Sequence, residues 1–577
     1  MKKIWFAILL VAVGCTTQAP QKLLPDQWKF QTGDNIEYAQ PSFDDSNWAL
    51  ITPGKLWEDQ GYSNYDGFAW YRVSLTIPKS LKKNASHYGG LILRLGKIDD
   101  ADATYLNGQL LGSTGKMPPE YSGEYDKPRE YVIPAEMIKW GEPNVIAVRV
   151  YDAGGGGGIY SDPVELTVKG TPDFVAIAPA FPEPDRILKG SPDIEVPVSV
   201  KNDFEKTYRG IITLKVVSDF GDEIATLEQP VSLKTKTSGE FKFKINGIAP
   251  GFYKAVATVK SNMANKYVKF NFGFEPEKIV SPADPQPDFQ EFWDRAKKEL
   301  AAVKPQYKLT RIDSLCTPEH NVYLVEMRSL GNARIRGWYQ VPVKPGVYPA
   351  IMQVPGYSSV EVPTYINYGE DIIGLGLNIR GHGNSKDDVN PGFPGYILTN
   401  LDDKEKYIYR GAYMDCRRGI DFLFSRPEVD KKRVAVEGAS QGGALTFATA
   451  ALNNDRILVC APQVPFLSDF RHYFKVASWP GNEFITYVEK DKKQTWDQVF
   501  TTLSYFDIKN LAPMIKAPMI MGVGLMDDVC PNHINFAAYN NVTSEKKYIA
   551  YPDAGHGLPG DFYKAKMEFI RSKFGMN

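Results

Sequence analysis

Cysteine and histidine are scarce in this chain, at 5 and 6 of 577 residues. Cys316, Cys416, Cys460 and Cys530 stand singly, with no C-x-x-C pair and no histidine at ligand spacing. That pattern argues against a zinc site and a dense disulfide framework, so no metal and no cofactor is expected. Cys460 lies in an apolar run and reads as core. Net charge is missing too: 67 Lys and Arg against 68 Asp and Glu give −1, too weak a field to draw nucleic acid. Past residue 13 no stretch approaches the ~20 apolar residues that a membrane helix needs. What is abundant is aromatic rings, 12% of the chain with 10 Trp and 32 Tyr, as in β-rich cores and surfaces that stack on flat ligands.

The length exceeds what one core supports and implies three or four domains. Met1-Lys2-Lys3 precedes an apolar run from Ile4 to Val13, an export signal too short to span a bilayer. Gly14-Cys15 then resembles a bacterial lipobox, which implies that residues 1–14 are removed and Cys15 is acylated, so that the membrane is met by lipid anchor only. The following Thr16-Thr17-Gln18-Ala19-Pro20-Gln21 lacks the acidic run of a surface-export signal. The expected location is therefore the outer membrane, with the periplasmic face favoured over the cell surface.

Residues 26–169 read as all-β, with alternating segments at Trp70–Leu75 and Val145–Val150 and an Asn107-Gly108 hairpin signal. Phe43-Asp44-Asp45-Ser46-Asn47-Trp48, Ala69-Trp70-Tyr71-Arg72, Tyr105-Leu106-Asn107-Gly108 and the run Gly154–Gly158 after Asp152 resemble galactose-binding-like jelly rolls of family two glycoside hydrolases and sialate O-acetylesterases. Two roles stay open for it, binding sugar or bracing a neighbour. Residues 171–276 carry further alternating strands, at 194–200, 210–216 and 253–259, with the length of an immunoglobulin-like sandwich. Pro197 predicts that the first of these lies at a sheet edge, and the unit reads as a spacer. The proline-rich stretch 281–287 leads into residues 283–577.

The most informative stretch is Arg433 to Leu445, where an apolar run meets Gly438-Ala439-Ser440-Gln441-Gly442 and then a helix-forming segment. A sharp strand-to-helix turn leaves little room, so Gly438, Gly442 and Gly443 fit it while Ser440 stands above the sheet edge as a nucleophile. The adjacent helix N-terminus favours developing negative charge. An acid and then a histidine should follow, each after a strand. The apolar run 518–524 is followed by Asp527 and Asp528, and 547–551 by Pro552-Asp553-Ala554-Gly555-His556. His556 is the expected general base. Position favours Asp527 over Asp528, because neighbours in sequence cannot both face one imidazole; Asp553 shapes the turn. The oxyanion donors would be the Gln441 N–H and, after the strand 349–354, the Tyr357 N–H.

Residues 287–293 (Pro-Asp-Phe-Gln-Glu-Phe-Trp), Gly356-Tyr357, Arg380-Gly381, Tyr409-Arg410-Gly411, the Ser440 turn, 502–507 (Thr-Leu-Ser-Tyr-Phe-Asp), Gly524–Asp527 and Gly555-His556 together resemble carbohydrate esterase family seven, the acetyl xylan esterases and cephalosporin C deacetylases. The resemblance covers roughly half the chain. It implies an α/β-hydrolase fold over 283–577, a Ser440, Asp527 and His556 triad, oxyanion donors at Tyr357 and Gln441, and acetylated oligosaccharide or polysaccharide as the substrate. Arg380 is the expected substrate contact, and Pro465 and Phe466 join Tyr357 as candidate walls of an acetyl-sized pocket. The family often forms a ring-shaped hexamer, which implies a homo-oligomer.

Three positions depart from the family pattern: His382 stands for glutamine, Pro355 for histidine, and Gly557 for glutamate. None is a triad member. His382 is read as ordering Arg380 and its neighbours. Taken whole, the sequence implies a multidomain protein, an N-terminal jelly roll and β-sandwich before an α/β-hydrolase, acting as a serine carbohydrate esterase. A peptidase or small-ester hydrolase on the same fold, and a non-catalytic glycan-binding lipoprotein, are the competing classes.

Overall fold

The structure is a computed structural model that describes residues 23–576 apart from 64, 262, 358–361, 363–367, 478 and 491–493. The expected signal segment 1–14 and Cys15 lie outside the described residues. The chain divides into two compact units, Met1–Val175 and Ala176–Asn577.

In the first unit a six-stranded sheet runs Ala49–Ile51, Trp28–Thr32, Gly67–Thr76, Pro143–Asp152, Ala101–Leu106 and Gln109–Thr114 in spatial order. A second sheet places Leu91–Asp99 between Val164–Val168 and Pro128–Ile133. The alternating segments turn Trp28, Phe30, Tyr71, Leu93, Val148 and Val150 into one buried cluster. Asn107 and Gly108 take φ of 50° and 86°, the two positive angles that a tight hairpin of matching twist requires. The glycine run lies flat on Trp57: a β-carbon on Gly157 would stand 2.1 Å from its ring.

The second unit begins with a β-sandwich that the sequence reading had set apart from the esterase segment. Its smaller sheet orders Val175–Pro179, Ile194–Asn202 and Thr237–Ile245; its larger one orders Ile187–Leu188, Asn265–Phe274, Gly251–Lys260, Tyr208–Ser218 and Glu223–Leu233. The strand carrying Pro197 is the middle one of three, not an edge. The carbonyl of Pro197 accepts from the Ala180 N–H at 3.0 Å, just past the end of the short strand Val175–Pro179, so the missing proline donor falls where that neighbour stops.

The rest of the unit is built on nine strands: β1 (Lys308–Arg311), β2 (His320–Arg328), β3 (Arg334–Pro342), β4 (Tyr348–Gln353), β5 (Ile373–Asn378), β6 (Val429–Ala439), β7 (Val459–Gln463), β8 (Met519–Gly524) and β9 (Lys546–Tyr551). Their order is β1-β2-β3-β5-β4-β6-β7-β8-β9, antiparallel as far as β5 and parallel from there. Helices α1 (Phe289–Ala302), α2 (Ile408–Ser425), α3 (Gln441–Leu452), α4 (Phe470–Val476), α5 (Asn532–Asn541) and α6 (Gly560–Lys573) accompany it. The parallel strands read as continuous apolar runs because both faces are covered; β5 and β8 are buried along their whole length. This is the α/β-hydrolase architecture expected over 283–577.

Several of the quoted sequence pieces are one packing unit. Trp293 of α1 donates from its indole to Tyr505 O at 3.2 Å and stacks on Tyr413 of α2, while Asp288 holds Lys404 at 2.7 Å and receives the Tyr505 hydroxyl. The four cysteines among the described residues are free thiols. Among the described residues no helix is long and apolar enough to cross a membrane.

Candidate active site

Ser440 sits where β6 ends and α3 begins, with φ 61° and ψ −121°, a backbone conformation that side chains other than glycine avoid. The turn is pinned from the next strand: the Ser440 N–H donates to Gln463 O at 3.0 Å and the Phe466 N–H donates to Ser440 O at 3.0 Å. Gly442 has no alternative here, since a β-carbon would lie 2.5 Å from the Val354 carbonyl. Beneath the turn, Glu437 is buried and receives the Lys566 ammonium and the Tyr368 hydroxyl, the latter at 2.7 Å, so the strand carrying the serine holds a paired charge.

The acid and the base meet after β8 and β9. His556 Nδ1 lies 2.9 Å from Asp527 Oδ2, and Asp527 Oδ1 accepts the N–H groups of Val529 and Cys530 at 2.9 and 2.8 Å. Asp527 is buried and Asp528 points to solvent, so geometry separates the two neighbours. Cys530 of the acid loop donates its N–H to Asp527, and its thiol is buried. Burial holds that thiol far above its ordinary range, so it stays neutral.

The two expected oxyanion donors are tied together by the side chain of Gln441. Its Nε2 donates to Gly356 O at 3.0 Å and lies 2.9 Å from His382 Nε2, while its Oε1 accepts the Tyr409 hydroxyl at 2.6 Å. His382, expected to order Arg380 and its neighbours, holds the Arg380 carbonyl with Nδ1 at 3.3 Å and props Gln441 with its other ring nitrogen. Burial lowers its pKa to about 4, which keeps the imidazole neutral and able to accept. Tyr357 turns its ring against Phe393 and Trp479, and its hydroxyl donates to Glu483 at 3.2 Å. Glu483 also fixes Gly395 N at 2.7 Å, and burial raises its pKa.

Arg380, expected as a substrate contact, is engaged within the fold by two of its nitrogens. Its guanidinium forms a two-pronged pair with buried Asp415, both bonds at 2.8 Å, and donates to Leu330 O at 3.0 Å, so the motif arginine holds the loop after β5 against α2. Pro465 and Phe466 are buried beside the serine turn. Phe466 is 2% exposed with its ring on Tyr473, 5.1 Å between centroids, and Pro465 O accepts from Asn535 at 2.9 Å.

The sandwich does more than separate. Arg186 pairs with Asp553 at 2.8 Å on the loop carrying His556, and Asn271 donates to Leu525 O at 2.6 Å, two residues before Asp527. Sequence reading missed both, because an arginine beside a two-residue strand and an asparagine on an alternating strand look like ordinary solvent-facing residues. Tyr409 was within a quoted motif, but nothing in the motif says that its hydroxyl reaches Gln441.

Residues 275–573 match the family model described as acetyl xylan esterase (AXE1). The chain belongs to that family. Among curated proteins it is similar to the acetyl esterase Axe7A of Xylanibacter ruminicola, 26% identical over 375 residues, covering 61% of this chain and 83% of that protein. It is also similar to the beta-galactosidase BoGH2A of Bacteroides ovatus, 29% identical over 142 residues, which is 22% of this chain and 15% of that one. Among solved structures, acetyl xylan esterase 1 from a Thermoanaerobacterium species is 32% identical with a TM-score of 0.49, covering 52% of this chain and 97% of that one. As a member of the acetyl xylan esterase family, the protein is a carboxylic ester hydrolase of the serine carbohydrate esterase class.

Proposed function

We propose that this acetyl xylan esterase family member removes acetyl groups from xylan-like oligosaccharides through an acyl-enzyme on Ser440. The observation that carries the reading is the Asp527–His556 pair at 2.9 Å, on the loops after β8 and β9, together with a conformationally strained Ser440 at the end of β6. His556 takes the Ser440 proton as the hydroxyl oxygen attacks the acetyl carbonyl carbon, and Asp527 fixes the imidazole with Nδ1–H turned toward it. The Gln441 and Tyr357 amides receive the oxyanion. The carbon–oxygen bond to the sugar breaks, and the sugar oxygen leaves with the proton from His556. Water, deprotonated by His556, then attacks the acyl carbon and releases acetate with Ser440 restored.

Acylation of Cys15 would tether the enzyme to the periplasmic face of the outer membrane, where it would meet imported oligosaccharides rather than intact polymer. The lipobox-like Gly14-Cys15 and the non-acidic residues after it support this. The resemblance further supports a homo-oligomer, which sedimentation would detect.

Three assays in turn test the activity: p-nitrophenyl acetate hydrolysis, acetate release from acetylated xylan and pectin, and cleavage of amino-acid anilides. Acetate release with no anilide cleavage is expected; the reverse would assign a peptidase. Protease shaving of intact cells tests the location, and loss of the esterase without lysis would place it on the outside.

A further inference from the structure

Outside the esterase site, the first unit gathers an unusual group of acids where its glycine loop leaves the strand Pro143–Asp152. Carboxylate oxygens of Asp99, Asp100 and Asp152 all lie within 4.8 Å of one another. Asp152 is 0% exposed and Asp100 8%. The loop is hung on these acids by its own N–H groups: Ala153 N donates to Asp100 Oδ2 at 2.9 Å, Gly154 N to Asp152 Oδ1 at 2.9 Å, and Gly157 N to Glu58 Oε2 at 3.0 Å. Asp100, Asp152 and Glu58 thus each have one oxygen on the loop. The opposite oxygens of Asp152 and Glu58, Oδ2 and Oε1, are buried with no hydrogen-bond partner.

A buried carboxylate oxygen without a donor is costly, and a crowd of them calls for a cation. Arg129, a cation that acts on Asp99, is committed elsewhere: its Nε pairs with Asp102 at 3.0 Å and its other nitrogens donate to the carbonyls of Ile98, Asp100, Glu124 and Lys127. The crowding shows in the acids themselves. Burial and then Asp100 push Asp99 up to about 8, and burial pushes Asp152 to about 6, with Asp100, Asp66 and Glu58 adding to it.

We propose that Asp99, Asp100 and Asp152 form a calcium site that clamps the glycine-rich loop 153–158 to the jelly roll. The donor set is oxygen only, which suits a hard cation and not zinc. Two oxygens on opposite sides of a calcium ion are separated by about 4.8 Å, so one ion can touch all three carboxylates; the smaller magnesium ion demands a tighter, near-octahedral set. The unpartnered Asp152 Oδ2 is the central ligand, and carbonyls and water complete the shell.

The test uses the full chain stripped with EDTA. Calorimetry with Ca²⁺ should show one site, and Tb³⁺ should luminesce there on tyrosine excitation, since Tyr151 adjoins Asp152 and its ring lies 5.5 Å from that of Tyr121. Ca²⁺ should displace the Tb³⁺ and raise Tm. Asp152→Asn should weaken Ca²⁺ roughly tenfold or more, and the half-exposed Asp99→Asn carries the same test if the buried variant fails to fold. No Ca²⁺ binding at millimolar concentration, or unchanged affinity in a folded Asp99→Asn, overturns the proposal. So does xylo-oligosaccharide binding in EDTA that the same substitutions abolish, which would make these acids acceptors for sugar hydroxyls.

Discussion

His382 Nε2 lies 2.9 Å from the side-chain nitrogen of Gln441, and that contact decides which proton the imidazole carries. An amide nitrogen can only donate, so Nε2 accepts and Nδ1–H faces Arg380 O. The histidine therefore belongs to the support of the oxyanion turn. A glutamine at this position, as the resembled family has, would offer the same acceptor without a titrating ring.

A pH dependence follows from burial of that ring. Its pKa falls from 6.5 to about 4 on folding, so its stabilising effect is fully present above pH 6.5 and is lost as pH falls through 4, up to about 3 kcal/mol. Urea midpoints measured from pH 7 to pH 4 should drop less steeply in His382→Gln than in the native protein. Parallel curves would mean that the imidazole is not buried neutral. His382→Ala, leaving the Gln441 donor unpaired, should lower kcat by about tenfold or more.

The pairing of His556 with Asp527, and the solvent-facing position of Asp528, separate two adjacent acids by activity. Asp527→Asn should lower kcat/KM by on the order of 10³ or more, because it removes the acceptor that orients Nδ1–H. Asp528→Asn should stay within about twofold, as surface changes do. Kinetics of the two variants side by side checks the assignment, and the opposite ranking refutes it.

The sandwich bonds to the catalytic loops predict that residues distant from the chemistry tune the rate. Arg186→Ala frees the His556 loop from its Asp553 partner, and Asn271→Ala removes the donor on Leu525. Each should cut kcat by roughly two- to tenfold while changing the free energy of unfolding by less than about 1 kcal/mol, since small misplacements of a triad are costly to rate. A spacer with no such role would leave kcat unchanged.

The strand-to-helix serine turn, the acid and histidine after later strands, and the β-rich N-terminal half were legible because each is a local pattern: a glycine spacing, an apolar run, an alternation. The middle position of the Pro197 strand was not, because its missing donor is tolerated only where Val175–Pro179 happens to stop. The Asp415 partner of Arg380 was hidden for a related reason. A motif arginine on a loop invites a substrate role, and only the fold brings Asp415 of α2 to within 2.8 Å of it. Long-range hydrogen bonds such as Asn271 to Leu525 join residues 254 positions apart and leave no trace in either neighbourhood.

The Tyr357 ring, held by Phe393, Trp479 and Glu483 beside the oxyanion turn, should limit the acyl group to acetyl size. Initial rates with p-nitrophenyl esters of rising chain length check this, with acetate preferred over hexanoate. Faster turnover of hexanoate is incompatible with a closed acetyl pocket.

The central claim rests on one hydroxyl. Acetate release from acetylated xylo-oligosaccharides by Ser440→Ala, measured beside the native protein at matched folding by circular dichroism, tests it most directly. The account predicts a fall on the order of 10³ or more with Tm unchanged; a folded Ser440→Ala protein that releases acetate at near the native rate would contradict it.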